Sequence, residues 1–158
     1  MYNIYIDTGG IVIKLNKTYN FHVDNCSFGM IPIERVIEMF KDGRVAAPFL
    51  EEHLTHWFPQ LTRILGNKDH DHVDENGVKY DAKNFTKNGL KFKPSNQMGE
   101  GRKFVAEIAH AKAKKLIYIC CDIVDFPKVR VRFKEGKTLI KKYPNCVIPR
   151  SKREVLFG

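Results

Sequence analysis

The sequence predicts an α/β fold with a central mixed β-sheet flanked by helices. Between residues 48 and 124, the apolar periodicity follows the order helix, strand, strand, strand, helix, strand. Within that core, LIYICCDIV at 116–124 is an apolar run typical of a central strand covered on both faces. A chain of 158 residues can enclose a sizeable hydrophobic core. We therefore expect residues 1–158 to form a single domain.

The first third of the chain predicts a hairpin followed by two helices. In the N-terminal region 1–25, YNIYI and IVIKL flank DTGG, whose glycines suit a hairpin turn. IERVIEMFKDG at 33–43 is typical of a short amphipathic helix ended by glycine. A second helix is predicted over about 48–65, and Pro59 should kink or divide it. Its apolar stripe is Leu50, Leu54, Trp57, Leu61 and Ile64.

The central region predicts three strands, a polar loop and a helix. A short strand at about 69–73 leads through the turn DENG to the strand VKYDAKNF at 78–85. A third strand, LKF, precedes the polar loop KPSNQMGEG at 93–101. RKFVAEIAHAKAKK at 102–115 then predicts a helix. We expect its apolar side to be Phe104, Val105, Ile108 and Ala109.

Positive charge is concentrated in the basic C-terminal region, 127–158. The net charge is +9, and this region carries 10 basic and 2 acidic residues, whereas the preceding 126 residues are nearly neutral. The asymmetry indicates a polyanionic partner. In the strand-like KVRVRFK, Lys128, Arg130 and Arg132 would lie on one face, about 7 Å apart, close to the phosphate repeat of nucleic acid. A solubilising edge strand is the alternative.

Other classes of protein have little support in the sequence. No apolar run approaches the roughly 20 residues of a membrane span, and the N-terminus does not resemble a signal peptide, so we expect a cytoplasmic protein. The four cysteines form no Cys-x-x-Cys pair, and we expect reduced packing residues.

Asp71, Asp81 and Lys83 form the candidate catalytic cluster. Asp81 and Lys83 are two residues apart on a predicted strand, so both should point to the same face. Asp71 lies across the tight DENG turn, from which it can converge on them. Carboxylate oxygens suit a hard divalent cation such as Mg²⁺, which would polarise a phosphodiester. The lysine would orient the attacking water or stabilise the developing charge.

The pattern of Asp71, nine residues, then Asp81-Ala82-Lys83 resembles the signature of PD-(D/E)xK nucleases. The spacing, the glycine-containing turn and the short chain are most similar to small restriction endonucleases of the PvuII type. His70 stands where the name-giving proline would be. The resemblance covers about 48–124, the catalytic core, and implies a restriction-endonuclease-like fold.

The resemblance further implies a site-specific, Mg²⁺-dependent endodeoxyribonuclease, with Mn²⁺ able to substitute. It assigns metal binding to Asp71, Asp81 and the Ala82 backbone carbonyl. Some members add a glutamate from the preceding helix, which here would be Glu51 or Glu52, and we expect Glu52 to be the additional metal ligand. A type II restriction enzyme that cuts both strands of duplex DNA implies a homodimer.

The loop after the third strand is the candidate for reading bases. Asn96, Gln97 and Arg102 could bond adenine and guanine in a major groove. In PvuII-like enzymes the corresponding region reads bases. A flexible glycine loop with a solvated polar surface is the alternative.

A second match to the spacing occurs at Asp125, nine residues, then Glu135-Gly136-Lys137. We expect KEGK to be a hairpin turn between VRVRF and TLIKKY. A turn cannot fix two side chains on one buried face, so we set this match aside.

Alternative functions stay open at this point. Asp69-His70-Asp71-His72 resembles the DHDH of phage junction-resolving, histidine–metal endonucleases, although that class also needs a downstream asparagine on a helix. A homing or repair nuclease on the same fold is another alternative. From a different class, the chain could be a catalytically silent DNA-binding module.

Overall fold

The computed structural model describes residues 11–66 and 69–158. Within these ranges the chain forms five α-helices: α1 Ile33–Phe40, α2 Gly43–Trp57, α3 Ala106–Ala113, α4 Gly136–Lys142 and α5 Arg153–Phe157. The same ranges contain eight β-strands: β1 Thr18–His22, β2 Thr62–Arg63, β3 His72–Val73, β4 Lys79–Phe85, β5 Leu90–Lys91, β6 Ile117–Asp122, β7 Lys128–Glu135 and β8 Val147–Ile148.

Six of the described strands form one mixed sheet, in the spatial order β1-β7-β6-β4-β3-β2. Neighbouring strands are antiparallel, except that β4 and β6 run parallel. Parallel neighbours need a crossover connection, and this one contains α3. β5 and β8 form a separate antiparallel pair. The predicted α/β class with a mixed sheet is therefore confirmed.

Helices cover both faces of the sheet and enclose two apolar cores. On one face, Leu54 of α2 packs in a cluster that includes Ile119 of β6. On the other face, Phe157 of α5 packs in a cluster that includes Tyr118 and Cys120 of β6. Successive β6 residues thus enter opposite cores, as the period of two along a strand requires. The prediction of a central strand covered on both faces is confirmed.

The helix α2 begins and ends earlier than the predicted span of 48–65. Asp42 caps its start, because the side-chain carboxylate accepts the Arg44 backbone N–H at 2.9 Å. The helix ends before Pro59, because the residue before a proline is driven out of the helical region, and Phe58 has φ −129° and ψ 83°. The chain after Pro59 forms β2, which the sequence did not indicate.

The helix α3 is shorter than predicted, and its predicted apolar side is only partly right. Ala109 is buried and Phe104 packs against the core, as expected. Val105 and Ile108, however, are 41% and 57% exposed. The second buried residue of the helix is Ala113, so two alanines form the contact face. Small side chains allow the neighbouring helix to approach closely.

The predicted hairpin turn at KEGK is wrong, because Gly136 begins the helix α4. A Cβ at this position would clash with the Ala113 carbonyl oxygen, at the end of α3. Glycine permits this close approach of two backbones, which other residues would prevent. The contact joins elements more than twenty residues apart, so the local sequence gives no sign of it.

The N-terminal hairpin prediction falls largely outside the described residues, because 1–10 are not among them. Residues 11–14 form no helix or strand, and the chain then enters β1. All four cysteines lie in the described ranges and are free thiols, as predicted. Over those ranges, every helix is too short or too polar to cross a membrane.

Candidate active site

An open groove runs along the edge of β4, where the neighbouring strand stops. Within the described residues, β3 pairs with Lys79 and Tyr80, the first two residues of β4. β4 continues to Phe85 while bound to β6 on its other side. The edge at 81–85 therefore faces a groove of about 820 Å³ between the start of α2 and the loop 95–99.

Asp71 and Asp81 meet at this edge, as predicted. The Asp71 N–H donates to the Tyr80 carbonyl at 2.9 Å and so extends the β3–β4 pairing by one residue. Its carboxylate Oδ2 accepts the Ala82 N–H at 2.8 Å. The same carboxyl is within side-chain hydrogen-bonding reach of Asp81. Two acids ten positions apart in the sequence are thus held together by the short turn between their strands.

Lys83 completes the cluster from the same strand as Asp81. Its Nζ lies 3.1 Å from Asp81 Oδ2, and the two side chains are 17% and 8% exposed. Alternate residues of a strand share a face, which is why the sequence predicted this pair. At such low exposure, water screens the charges poorly, so each strongly affects its neighbours.

The environment raises the pKa of Asp71 to about 7. Burial is the largest cause, since it disfavours the charged carboxylate. Repulsion from Asp81 and then from Glu51 acts in the same direction, while the Ala82 N–H stabilises the charged form. Near neutral pH, a large fraction of Asp71 is therefore protonated, and a cation at this place would also relieve the repulsion.

The Ala82 carbonyl faces the same edge as these acids. The N–H and C=O of one strand residue point to the same side of the strand. Because the Ala82 N–H donates to Asp71, its oxygen is directed to the groove side of β4. The three oxygen donors predicted as metal ligands are therefore close together.

Helix α2 contributes a further acid, and it is Glu51 rather than Glu52. Glu51 lines the groove, whereas the Glu52 side chain is 55% exposed on the outer side. Arg63 of β2 binds both, with Nη2 2.9 Å from Glu51 Oε2 and Nη1 2.7 Å from Glu52 Oε1. The guanidinium thus neutralises and holds the acid that borders the aspartate pair. Arg63 was not among the predicted site residues, because it lies in a strand that was predicted as helix.

His72 of β3 connects α2 to the sheet. The imidazole is fully buried, and its Nε2 lies 2.9 Å from the Glu51 carbonyl oxygen. Burial lowers the pKa of His72, which favours the neutral ring. The side chain points into the protein and away from the groove. The histidine–metal alternative, which would use this imidazole as a ligand, gains no support from that placement.

Cations surround the acidic centre at the rim of the groove. Arg44 at the start of α2 lines one side, and Lys91 of β5 and Lys112 of α3 also line it. They come from three elements that are distant in the sequence. Each looks like an ordinary surface residue in its own segment, so the sequence analysis missed them. Together they can hold a polyanion across the acids.

The polar loop borders the groove, but only part of its predicted role is possible. Gln97 is buried, and its amide oxygen accepts the Val105 N–H at 2.9 Å, so it holds the loop and cannot read bases. Asn96 is exposed and lines a neighbouring depression. Arg102 is exposed and donates to the Ser95 carbonyl at 2.8 Å. Asn96 and Arg102 are therefore the predicted base-reading residues that a ligand could reach.

The cationic strand β7 lies inside the sheet, between β1 and β6. Its central cation, Arg130, is 2.8 Å from both Asp122 and Glu154. Arg132 is half-buried, whereas Lys128 is exposed. Neutralisation of Arg130 interrupts the row of phosphate-binding cations that we predicted. The groove itself is lined by other cations.

The second spacing match does not form a site. β7 separates its two acids, and Asp125 lies before the strand while Glu135 ends it. Asp125 pairs with Arg153 at 2.6 Å, and Glu135 pairs with Lys137 at 2.9 Å. Eight strand residues span on the order of 25 Å, too far for shared metal binding.

Comparison of the chain with protein-family models, curated proteins and solved structures gave no match.

Over the described residues, no group of three or more His, Cys, Asp or Glu side chains is arranged to hold a metal ion. The site is thus defined by two aspartates, one lysine and one backbone carbonyl at the base of a cation-rimmed groove.

Proposed function

We propose that the protein is a metal-dependent endodeoxyribonuclease of the PD-(D/E)xK class, most similar to small type II restriction enzymes. The observation that carries this proposal is the meeting of Asp71, Asp81 and Lys83 on the open edge of β4. A buried pair of carboxylates beside a lysine destabilises a fold unless a ligand neutralises it. The cluster lies at the base of an open groove, so a ligand from solution can reach it.

The order of elements around the site supports a restriction-endonuclease-like core. α2 precedes the antiparallel strands β2, β3 and β4, and α3 then leads to β6, which is parallel to β4. The observed order from α2 to β6 is thus helix, four strands, helix, strand. It contains the predicted strands as β3, β4 and β5, together with β2, which was predicted as helix, and β5 pairs with β8 outside the main sheet. The acids and the lysine lie on and beside β4.

The donor atoms fit Mg²⁺, with Mn²⁺ able to substitute. Two carboxylates and the Ala82 carbonyl supply only oxygen, which suits a hard divalent cation that keeps several waters. Two acids and one carbonyl leave coordination positions for water and for substrate oxygens. When bound, such an ion polarises the phosphodiester and lowers the pKa of its water.

The protein side chains have separate roles in this scheme. Asp71 and Asp81 would be the carboxylate ligands of the ion, and Asp71 would release its proton when the ion binds. Lys83 Nζ, held 3.1 Å from Asp81 Oδ2, orients the attacking water and stabilises charge on the phosphate. Arg63 holds Glu51 beside the pair, where it can bind the ion directly or through water. Glu52 is too far out to share this role.

The cations at the rim of the groove support DNA as the substrate. Arg44, Lys91 and Lys112 line the same groove as the acids, so a phosphate backbone lying across the groove would meet positive charge. Arg44 also pairs with Asp42 at 3.1 Å, which partly neutralises its charge. Cutting both strands of a duplex requires two such sites, which a homodimer provides. The alternative of a catalytically silent DNA-binding module predicts the same binding without cleavage.

Plasmid cleavage tests the proposal directly. We expect nicking or linearisation with Mg²⁺ or Mn²⁺, and none with EDTA. Lys83→Ala should abolish cleavage and retain DNA binding in Ca²⁺. Lys137→Ala, which removes the lysine of the second spacing match, is the matched control and should cleave normally. Folded protein that binds DNA but never cuts it would favour the binding module. An equal loss of cleavage in Lys83→Ala and Lys137→Ala would show that Lys83 has no special role.

A further inference from the structure

Helix α2 separates the groove from a second, apolar surface. Gly43, Ala47 and Glu51, spaced four residues apart, line the groove. Val45 and Phe49, also four apart, lie on another face of the same helix and are 37% and 46% exposed. An apolar helix face left open to water is unusual next to a polar groove, since large exposed apolar patches mark interaction sites.

The segment 28–33 extends this surface. Phe28 and Ile31 pair across a tight turn, and Met30 at its tip is 101% exposed. Phe28 and Phe49 line the same pocket, which joins the segment to α2. We call the combined surface the apolar patch; it consists of Phe28, Met30, Ile31, Ile33, Val45 and Phe49.

The apolar patch contains a pocket as well as protruding side chains. The pocket has a volume of about 180 Å³ and is lined by Cys26, Phe28, Phe40, Phe49, Leu50 and Phe126, among others. An apolar cavity of about 150 Å³ accepts a molecule of the size of benzene. One large apolar side chain, such as methionine, therefore fits this pocket.

We propose that the apolar patch is a self-association surface that joins two copies of this chain about a two-fold axis. A two-fold interface uses the same patch on both copies, so that patch must carry both a protrusion and its receptor. Here Met30 is the protrusion and the adjoining pocket is the receptor. Each copy would insert Met30 into the pocket of the other.

Charge favours a second copy over a nucleic acid on this surface. Residues 24–49 carry 4 acidic and 3 basic side chains, although the whole chain has a net charge of +9. Most surfaces of such a basic protein repel another copy and attract polyanions. The segment that forms the apolar patch is nearly neutral, so it neither repels a second copy nor attracts a polyanion.

The exposed area is sufficient for a stable dimer. With roughly 200 Å² for a fully exposed large apolar side chain, the exposed fractions of the six patch residues amount to about 650 Å² per copy. Two copies would bury about 1,300 Å², within the range of roughly 1,200–2,000 Å² for stable interfaces. Because α2 also lines the groove, dimerisation would place two grooves near one axis.

Sedimentation velocity of the full chain over a concentration series tests this inference. We expect a dimer at tens of micromolar, and we expect Met30→Glu to weaken it by roughly thirtyfold or more, as for removal of an interface hot spot. Met30 is fully exposed, so this change should leave the fold intact, which circular dichroism would verify. Val155→Glu is the matched control: Val155 is 55% exposed on α5, outside the apolar patch, and its variant should dimerise normally.

Two results would overturn the inference: a wild-type chain that stays monomeric throughout the series, or Met30→Glu associating as tightly as wild type. The measurement needs neither metal nor DNA. Its failure would therefore leave the proposed nuclease activity untouched, and an inactive but dimeric protein would leave this inference intact.

Discussion

Replacement of Asp71 by asparagine should stabilise the fold while it removes the proposed activity. Asparagine has the same shape, and its oxygen can still accept the Ala82 N–H. Its amide NH₂ can donate to Asp81, as the protonated carboxyl of Asp71 can. The change removes a buried negative charge that repels Asp81 and Glu51. Stability and function are thus expected to move in opposite directions.

The size and pH dependence of the effect follow from the raised pKa of Asp71. The folded protein binds this proton up to a pKa of about 7, whereas the unfolded chain releases it near 3.8. Between these values the folded state holds more protons, so stability falls as pH rises. The free energy of unfolding is therefore about 4 kcal/mol lower above pH 7 than below pH 3.8. The asparagine variant has no such loss.

Urea unfolding in EDTA, followed by the fluorescence of Trp57, measures this difference. Trp57 is the one tryptophan in the sequence and stacks on Phe21 at 4.2 Å, so unfolding changes its environment. The free energy of unfolding of Asp71→Asn minus that of wild type should increase by about 3 kcal/mol between about pH 5 and pH 8. Above pH 8 this difference should stay constant. Added Ca²⁺ should stabilise wild type and not the variant. A variant less stable than wild type at every pH, or a difference independent of pH, would refute the reasoning.

Three further predictions concern the groove, the helix contact and the loop. Lys91→Ala should weaken DNA binding for all sequences and reduce the slope of log affinity against log salt by about one, whereas Lys128→Ala on β7 should change the slope less. Gly136→Ala should lower the free energy of unfolding by about 3 kcal/mol in urea titrations, because the added Cβ meets a backbone oxygen. Gln97→Ala should destabilise by about 1–3 kcal/mol, because the Val105 N–H loses its partner; a variant as stable as wild type but altered in cut-site preference would restore Gln97 as a base reader.

The candidate catalytic cluster was predictable because it is local. Asp71 and Lys83 lie within one hairpin, where alternation along the strand and a tight turn fix the relative positions of side chains. The central strand was predictable for a similar reason, since an apolar run alone identifies burial on both faces. These inferences use only the spacing of neighbouring residues.

The rest of the groove was not predictable, because it depends on contacts between distant segments. Arg44, Lys91 and Lys112 meet only after α2, β5 and α3 have packed around β4. In the same way, the orientation of α2, which places Glu51 in the groove, depends on contacts with strands further along the chain. His72 of β3, for example, lies 2.9 Å from the Glu51 carbonyl oxygen. On β7, a local pattern suggested a binding surface that contacts with a distant segment remove. The alternation of cations was real, but Glu154 from the last helix neutralises Arg130.

The pairing of β1 with β7 has a consequence for how the chain folds. Thr18 lies opposite Arg132, so the first described strand of the chain is held by one of the last. During synthesis, β1 must wait for more than a hundred further residues before its partner leaves the ribosome. Contacts of such long range slow folding, because a large loop must close before the strands gain anything from pairing. The hairpin of β3 and β4 can form early and locally, whereas the sheet that supports it is completed only after β7 has been synthesised.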